Sequence, residues 1–129
     1  MEIALRAALI QWLAADSTLG ALLNAITEEA PAKAALPWLA IASSASTDWS
    51  TKDLSGREVR IALELHCRGD RPDTAASLVA ALESRVAAMP AEQAGYRIVV
   101  ARFLRARAEQ RPGNVRSILT EYRFRLLAD

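Results

Sequence analysis

The sequence predicts an α+β fold: a single domain over residues 1–129, with a mainly antiparallel sheet and helices packed on one face. Three observations carry this reading. Residues 57–68 alternate Val59, Ile61, Leu63, Leu65 and Cys67 with Glu58, Arg60, Ala62, Glu64, His66 and Arg68. That period of two specifies a strand with one buried face. Pro112-Gly113-Asn114 is a turn signal between two extended segments, which predicts an antiparallel hairpin. Helical spacing appears near the N-terminus and again after residue 72.

The elements follow in order. Residues 2–14 place Ile3, Leu5, Ala8, Leu9, Trp12 and Leu13 close to helical spacing. Asp16 or Ser17 is placed to cap a second short helix over 17–24, with Leu19, Leu22 and Leu23 as its apolar residues. Residues 28–37 read as a loop ending at a proline. Trp38 to Ala42 then reads as a short buried strand. Residues 43–56 are polar and turn-rich, and around Trp49 they predict either a short strand or a long exposed hairpin arm. Gly69, Asp70 and Pro72 stop the alternating strand. Asp73 or Thr74 is the expected cap of a helix to about Met89, with the stripe Leu78, Val79, Leu82 and Val86. Residues 96–109 begin as a strand, with helix as an alternative for the alanine- and arginine-rich end. Residues 115–127 form the last strand, with Ile118, Thr120, Tyr122, Phe124 and Leu126 on one face and Arg123 and Arg125 on the other.

Bulk properties narrow the function classes. The chain has 129 residues, 52% hydrophobic and 24% charged, which is ordinary globular composition rather than a disordered one. Its apolar runs fall short of the roughly 20 residues that span a bilayer. Glu2 stands where a signal peptide would carry basic residues, and Arg6 and Gln11 break the apolar run, so a cytoplasmic start is expected. One cysteine, Cys67, forms no intrachain disulfide. With His66 as the sole histidine, a Cys/His zinc site within one chain is not expected, nor is a cofactor. His66 reads as a surface or interface histidine, and Cys67 as a small buried hydrophobe. Glycine-rich phosphate loops, nucleophile elbows and metalloprotease signatures are absent from the sequence. No enzyme is therefore expected.

Net charge is +1 but unevenly placed. Residues 1–56 hold three basic and six acidic side chains, whereas residues 97–129 hold eight arginines against Glu109, Glu121 and Asp129. Such polarity can make opposite faces of a subunit attract. The arginines read first as the solvated face of a strand, with nucleic acid as the alternative partner. Trp12 and Trp38 have core explanations, while Trp49 lies in a polar arm and divides between local packing and a partner contact.

The run Ser46-Thr47-Asp48-Trp49-Ser50-Thr51-Lys52, followed by Ser55-Gly56 and Arg57-Glu58, resembles the tail-completion (tail-terminator) proteins of siphophages and gene transfer agents. The N-terminal helix with Leu5 to Leu9, the Pro37-Trp38-Leu39 start of a strand, the helix after Gly69 and the closing Arg123–Asp129 stretch extend the likeness over nearly the whole chain. The resemblance implies a structural virion protein: a subunit of a hexameric ring that ends the tail tube and meets the head connector. The implied partners are other copies of the chain, the tail tube protein and connector or stopper proteins. DNA would pass through the lumen without base readout, and no membrane would be involved. A head–tail stopper or adaptor is the neighbouring alternative, and a nucleic-acid-binding module using the Arg97–Arg125 hairpin is the more distant one. The resemblance supplies no catalytic residues. On charge and exposure, Asp48, Trp49, Lys52, Arg57, Arg116, Arg123 and Arg125 are the expected interface residues.

Overall fold

The computed structural model describes residues Met1–Asp129. The chain runs α1 (Glu2–Ala14), α2 (Ser17–Leu22), β1 (Ile26–Thr27), β2 (Trp38–Asp48), β3 (Gly56–Arg68), α3 (Pro72–Ala87), β4 (Tyr96–Arg111) and β5 (Val115–Ala128). The strands form one sheet in the order β1-β2-β3-β5-β4. All its pairings are antiparallel except β1 with β2.

β3 and β5 pair from Gly56↔Leu127 to Arg68↔Val115 without a register shift. Side-chain parity therefore holds along both strands. Val59, Ile61, Leu63 and Leu65 share a face with Phe124, Tyr122, Thr120 and Ile118. All of these are buried. The helices lie against this face. Leu5, Leu9 and Leu13 of α1, Leu19 of α2, and Leu78, Leu82 and Val86 of α3 join the strand residues in one cluster of 22 buried side chains. Burial pushes the Tyr122 phenol up to about 12, because the ionised form would lose its water.

The helices depart from expectation in two places. Ile3 is 82% exposed although it fits the apolar spacing. It stands two residues from Leu5, about 200° around the helix, while Leu5, Leu9 and Leu13 supply the buried line. Trp12 is not a core residue but the pin between α1 and α3. Its Nε1 donates to the Arg85 carbonyl at 2.7 Å, Arg85 Nε donates to the Trp12 carbonyl at 2.9 Å, and the guanidinium lies 3.3 Å from the ring centroid. Such a cation–π contact contributes on the order of 1 kcal/mol. Asp16 caps α2 as expected, accepting from Leu19 N at 3.0 Å. α3 begins earlier than Asp73: Pro72 takes its first turn, where the missing N–H costs nothing.

The outer strands also differ. β1 is a two-residue strand that periodicity could not announce; it is tied in by Leu39 N to Ala25 O at 2.9 Å. β2 extends beyond Ala42 to Asp48, so the polar arm is the far half of a long hairpin with β3. A register shift between Ile41 and Ser43 turns Ser44 onto the helix-bearing side. There it accepts from Arg6 Nη1 at 2.7 Å and donates to Glu2 of α1. β4 stays a strand to Arg111, and the helical alternative fails because all of the segment except Val99 and Leu104, at the two register shifts, pairs with β5. Gly113 (φ 79) and Asn114 (φ 60) take the left-handed conformations that the hairpin turn requires.

Gly56 marks the tightest approach in the sheet. A Cβ there would lie 2.3 Å from the Trp49 carbonyl and 2.9 Å from the Leu126 carbonyl. Gly56→Ala should destabilise the chain by about 1–3 kcal/mol, because backbone must move to admit the methyl group. Urea denaturation followed by tryptophan fluorescence checks this; an unchanged midpoint would show that the approach is looser than drawn.

Candidate assembly interface

The β2–β3 loop is an ordered structure rather than a slack arm. Trp49 N donates to Gly56 O at 3.0 Å, Thr51 N to Leu54 O at 2.9 Å, and Gly56 N to Ser50 Oγ at 3.1 Å. Ala128 N of β5 donates to Ser55 O at 2.9 Å, which fastens the loop to the end of the last strand. Trp49 is half-buried there, and the Arg125 guanidinium lies 5.3 Å from its ring centroid. Arg125 Nε also donates to Glu58 Oε1 at 3.0 Å, and Arg123 approaches the same oxygen at 3.9 Å. Trp49 thus has a local packing partner and keeps part of its ring in the open.

Six of the expected interface residues collect at this end. Asp48 and Lys52 are exposed, Arg57 is exposed with Nη1 at 3.4 Å from Ser46 Oγ, and Trp49, Arg123 and Arg125 are half-buried. Arg116 does not join them. It pairs with Cys67 near the opposite end of β3 and donates from Nη2 to Gly69 O at 3.2 Å. The nine steps along β5 from Arg116 to Arg125 span about 30 Å.

The helix-free face carries a further set of charges. Arg60, Arg123 and Arg102 stand in direct register across β3, β5 and β4. Like charges in adjacent positions repel, so this row costs stability unless water or an anion screens it. The next row places Glu121 opposite Arg105, with paired contacts at 2.8 and 3.0 Å. That two-pronged hydrogen bond holds the Glu121 carboxyl below its ordinary value. Arg60, Arg102 and Arg105 were not singled out from the sequence. Parity along β3 marks Arg60, but the register shifts at Ile98/Val100 and Phe103/Arg105 hide the facing of the β4 arginines.

His66 and Cys67 each have partners within the chain. His66 Nε2 lies 2.5 Å from Glu64 Oε1, and its ring stacks on Trp38 with centroids 4.2 Å apart. Trp38 is buried as expected, but on the helix-free side and against this histidine. Ser117 Oγ donates to the same Glu64 oxygen at 3.3 Å, so the hydroxyl is turned to the carboxylate and not to the imidazole. Burial pushes the Cys67 thiol up, with Arg116 opposing more weakly. No three His, Cys, Asp or Glu side chains converge as metal ligands, and no helix is long and apolar enough to cross a membrane.

The family model of tail completion protein gp17 matches residues 7–127. The chain belongs to this tail completion family. The match runs from within α1 to Leu127, one residue short of the end of β5, and includes the Trp49 loop. This tail completion protein is also similar to a chain in a solved structure described as the virion of a native gene transfer agent particle. The TM-score is 0.83 at 25% identity, covering 97% of this chain and 96% of that one. Curated protein sequences gave no match. The protein is therefore a structural protein of a phage-type tail.

Two measurements check the local chemistry. In an NMR titration, Arg105→Ala should raise the Glu121 midpoint toward the ordinary carboxylate value. Because the folded value is depressed, whatever stability the pair gives is present above the unfolded value and lost as pH falls through the folded one. Cys67 should react with iodoacetamide far more slowly in the native chain than in denaturant, since its raised pKa and burial both suppress the thiolate. Equal rates would place the thiol at the surface.

Proposed function

We propose that this tail completion protein is a subunit of a ring, six-membered by the family resemblance, that ends the tail tube and joins it to the head connector. The observation that supports this most is the likeness over nearly the full length of both chains to a component of a gene transfer agent virion. The physical character of the surfaces fits. A closed ring needs a heterologous contact, in which one patch meets a different patch of the next copy. Acids gather toward the β1–β2 side, with Glu2, Glu28, Glu29 and Asp48, and arginines toward β4. The ordered Trp49 loop, with Asp48, Lys52 and Arg57 around it, supplies a rigid projection for one end contact, and Arg116 a separate charge at the other end.

In this reading the partners are further copies of the chain, the tail tube protein and the connector or stopper proteins. The protein would be in the host cytoplasm before assembly and at the head-proximal end of the tail afterwards. DNA would pass the subunit without base readout. A stopper or adaptor position differs only in which isolated partner binds. A second reading, non-specific contact with nucleic acid, is favoured by the Arg60–Arg123–Arg102 row, because phosphates would relieve its repulsion.

Light scattering of the purified chain, with and without tail tube protein, tests the proposal. A mass near six subunits on the tube end supports it. A chain indifferent to tube protein that binds DNA with a steep salt dependence favours the second reading. Trp49→Ala should leave the fold intact and weaken assembly; a large drop in monomer melting temperature with assembly preserved would make Trp49 a packing residue alone.

A further inference from the structure

The sheet has two backbone edges that nothing else in the chain covers. β1 shields β2 only at Leu39 and Ala40, and the stretch Ser43–Asp48 is paired on one side alone, to β3. On the far side, residues 91–93 reach the start of β4 through Ile98 N to Ala91 O at 2.7 Å and Gln93 N to Tyr96 O at 3.0 Å. Beyond Ile98 the outer edge of β4 receives no further backbone hydrogen bond. Register shifts interrupt it at Ile98/Val100 and Phe103/Arg105, and Arg105–Arg111 is regular. The β2 stretch Ser43–Ser46 carries neither proline nor charge, whereas the β4 edge lacks proline but carries arginines, so a partner strand there must tolerate or match them.

The two edges suit each other. From β2 through β3 and β5 to β4 the strands alternate in direction. Because this part of the sheet has an even number of strands, β4 runs opposite to β2. A second copy set beside the first in the same orientation therefore presents its β2 antiparallel to the first copy's β4. Repetition of that step is a head-to-tail contact, the kind that closes a ring. A stagger between the edges is compatible with closure, since curved sheets need one.

Side chains and charge point the same way. On the helix-free face the β2 edge carries Ser43, Ala45 and Thr47, which are small and exposed and leave room for Arg105 and Arg107 of β4. The β4 flank holds Arg97, Arg102, Arg105, Arg107 and Arg111 against Glu109, with Arg105 paired to Glu121 and Arg107 and Arg111 to Glu109; the β1–β2 flank holds Glu2, Glu28, Glu29 and Asp48, with Arg6 engaged by Glu28 and Glu29, so each flank keeps a net excess of its own sign. On the helix-bearing side, Phe103 is 44% exposed on β4, an aromatic ring left open at that edge of the sheet.

We propose that β4 of one copy adds to the free edge of β2 in the next, so that neighbouring sheets continue as one antiparallel sheet around the ring. The inference rests on the ring reading above. Hydrogen exchange tests it on the free chain and on the chain bound at tail tube ends. Amides within 43–48 and 105–111 should slow by about tenfold or more on assembly. Ala45→Arg sets a long cation at the exposed β2 edge, facing the arginines of β4. Arg60 stands opposite within the same chain, so the monomer melting temperature should fall slightly; at a temperature where the monomer stays folded, the assembled fraction should drop by about tenfold, a loss equivalent to roughly 1.4 kcal/mol. A ring whose two edges exchange as fast as in the free chain, or one that forms normally from Ala45→Arg, overturns edge pairing and leaves the ring intact. A chain that stays monomeric with and without tube protein overturns both.

Discussion

The uninterrupted pairing of β3 with β5 is the constraint on which the rest of the structure depends. It runs from Gly56↔Leu127 to Arg68↔Val115 with no extra residue on either side. Side chains alternate across a strand, so one slip of register would turn Phe124, Tyr122 and Ile61 to water and Arg60, Arg123 and Glu58 inward. The fixed register makes one face apolar enough to hold three helices and leaves the other to arginine and glutamate. Gly56 guards one end of the pairing by admitting the Trp49 and Leu126 carbonyls where a side chain would not fit.

The outer strands adapt this frame by breaking its parity. In β2 the shift after Ile41 sends Ser44 to α1, where Arg6 and Glu2 hold it and link the N-terminal helix to the long hairpin. In β4 two shifts leave Val99 46% exposed and set Arg102 and Arg105 on the helix-free face. Both strands then run on beyond the cover of the helices. For an isolated domain, long open edges and a row of like charges are liabilities. In the assembly proposed above, they would be surfaces shared with neighbours.

Several polar groups of the sheet are held by partners within the chain. Burial raises the Cys67 thiol pKa, with Arg116 opposing more weakly. His66 is taken up by Glu64 and Trp38, and Ser117 by Glu64. The edges and ends of the sheet carry much of the exposed charge.

The sequence by itself determined the α+β class, the central strands, the turn at Pro112-Gly113-Asn114, a helix cap at Asp16 or Ser17, and the family likeness carried by the Trp49 run. These are local signals: alternation, helical spacing, turn chemistry and a short motif are complete within a dozen residues or so. Tertiary structure alone decided four other matters. β1 is two residues long, too short for any period, and exists because β2 offers it a partner. The end of β4 is strand because β5 pairs with it, against the helical preference of its alanines and arginines. Trp12 became a pin and not a core residue because Arg85, distant in sequence, lies over its ring. The gathering of Trp49 with Arg125, the exclusion of Arg116 and the row of Arg60, Arg123 and Arg102 all follow from register between strands. A single strand's pattern records which of its residues share a face, but not which residues of another strand stand beside them.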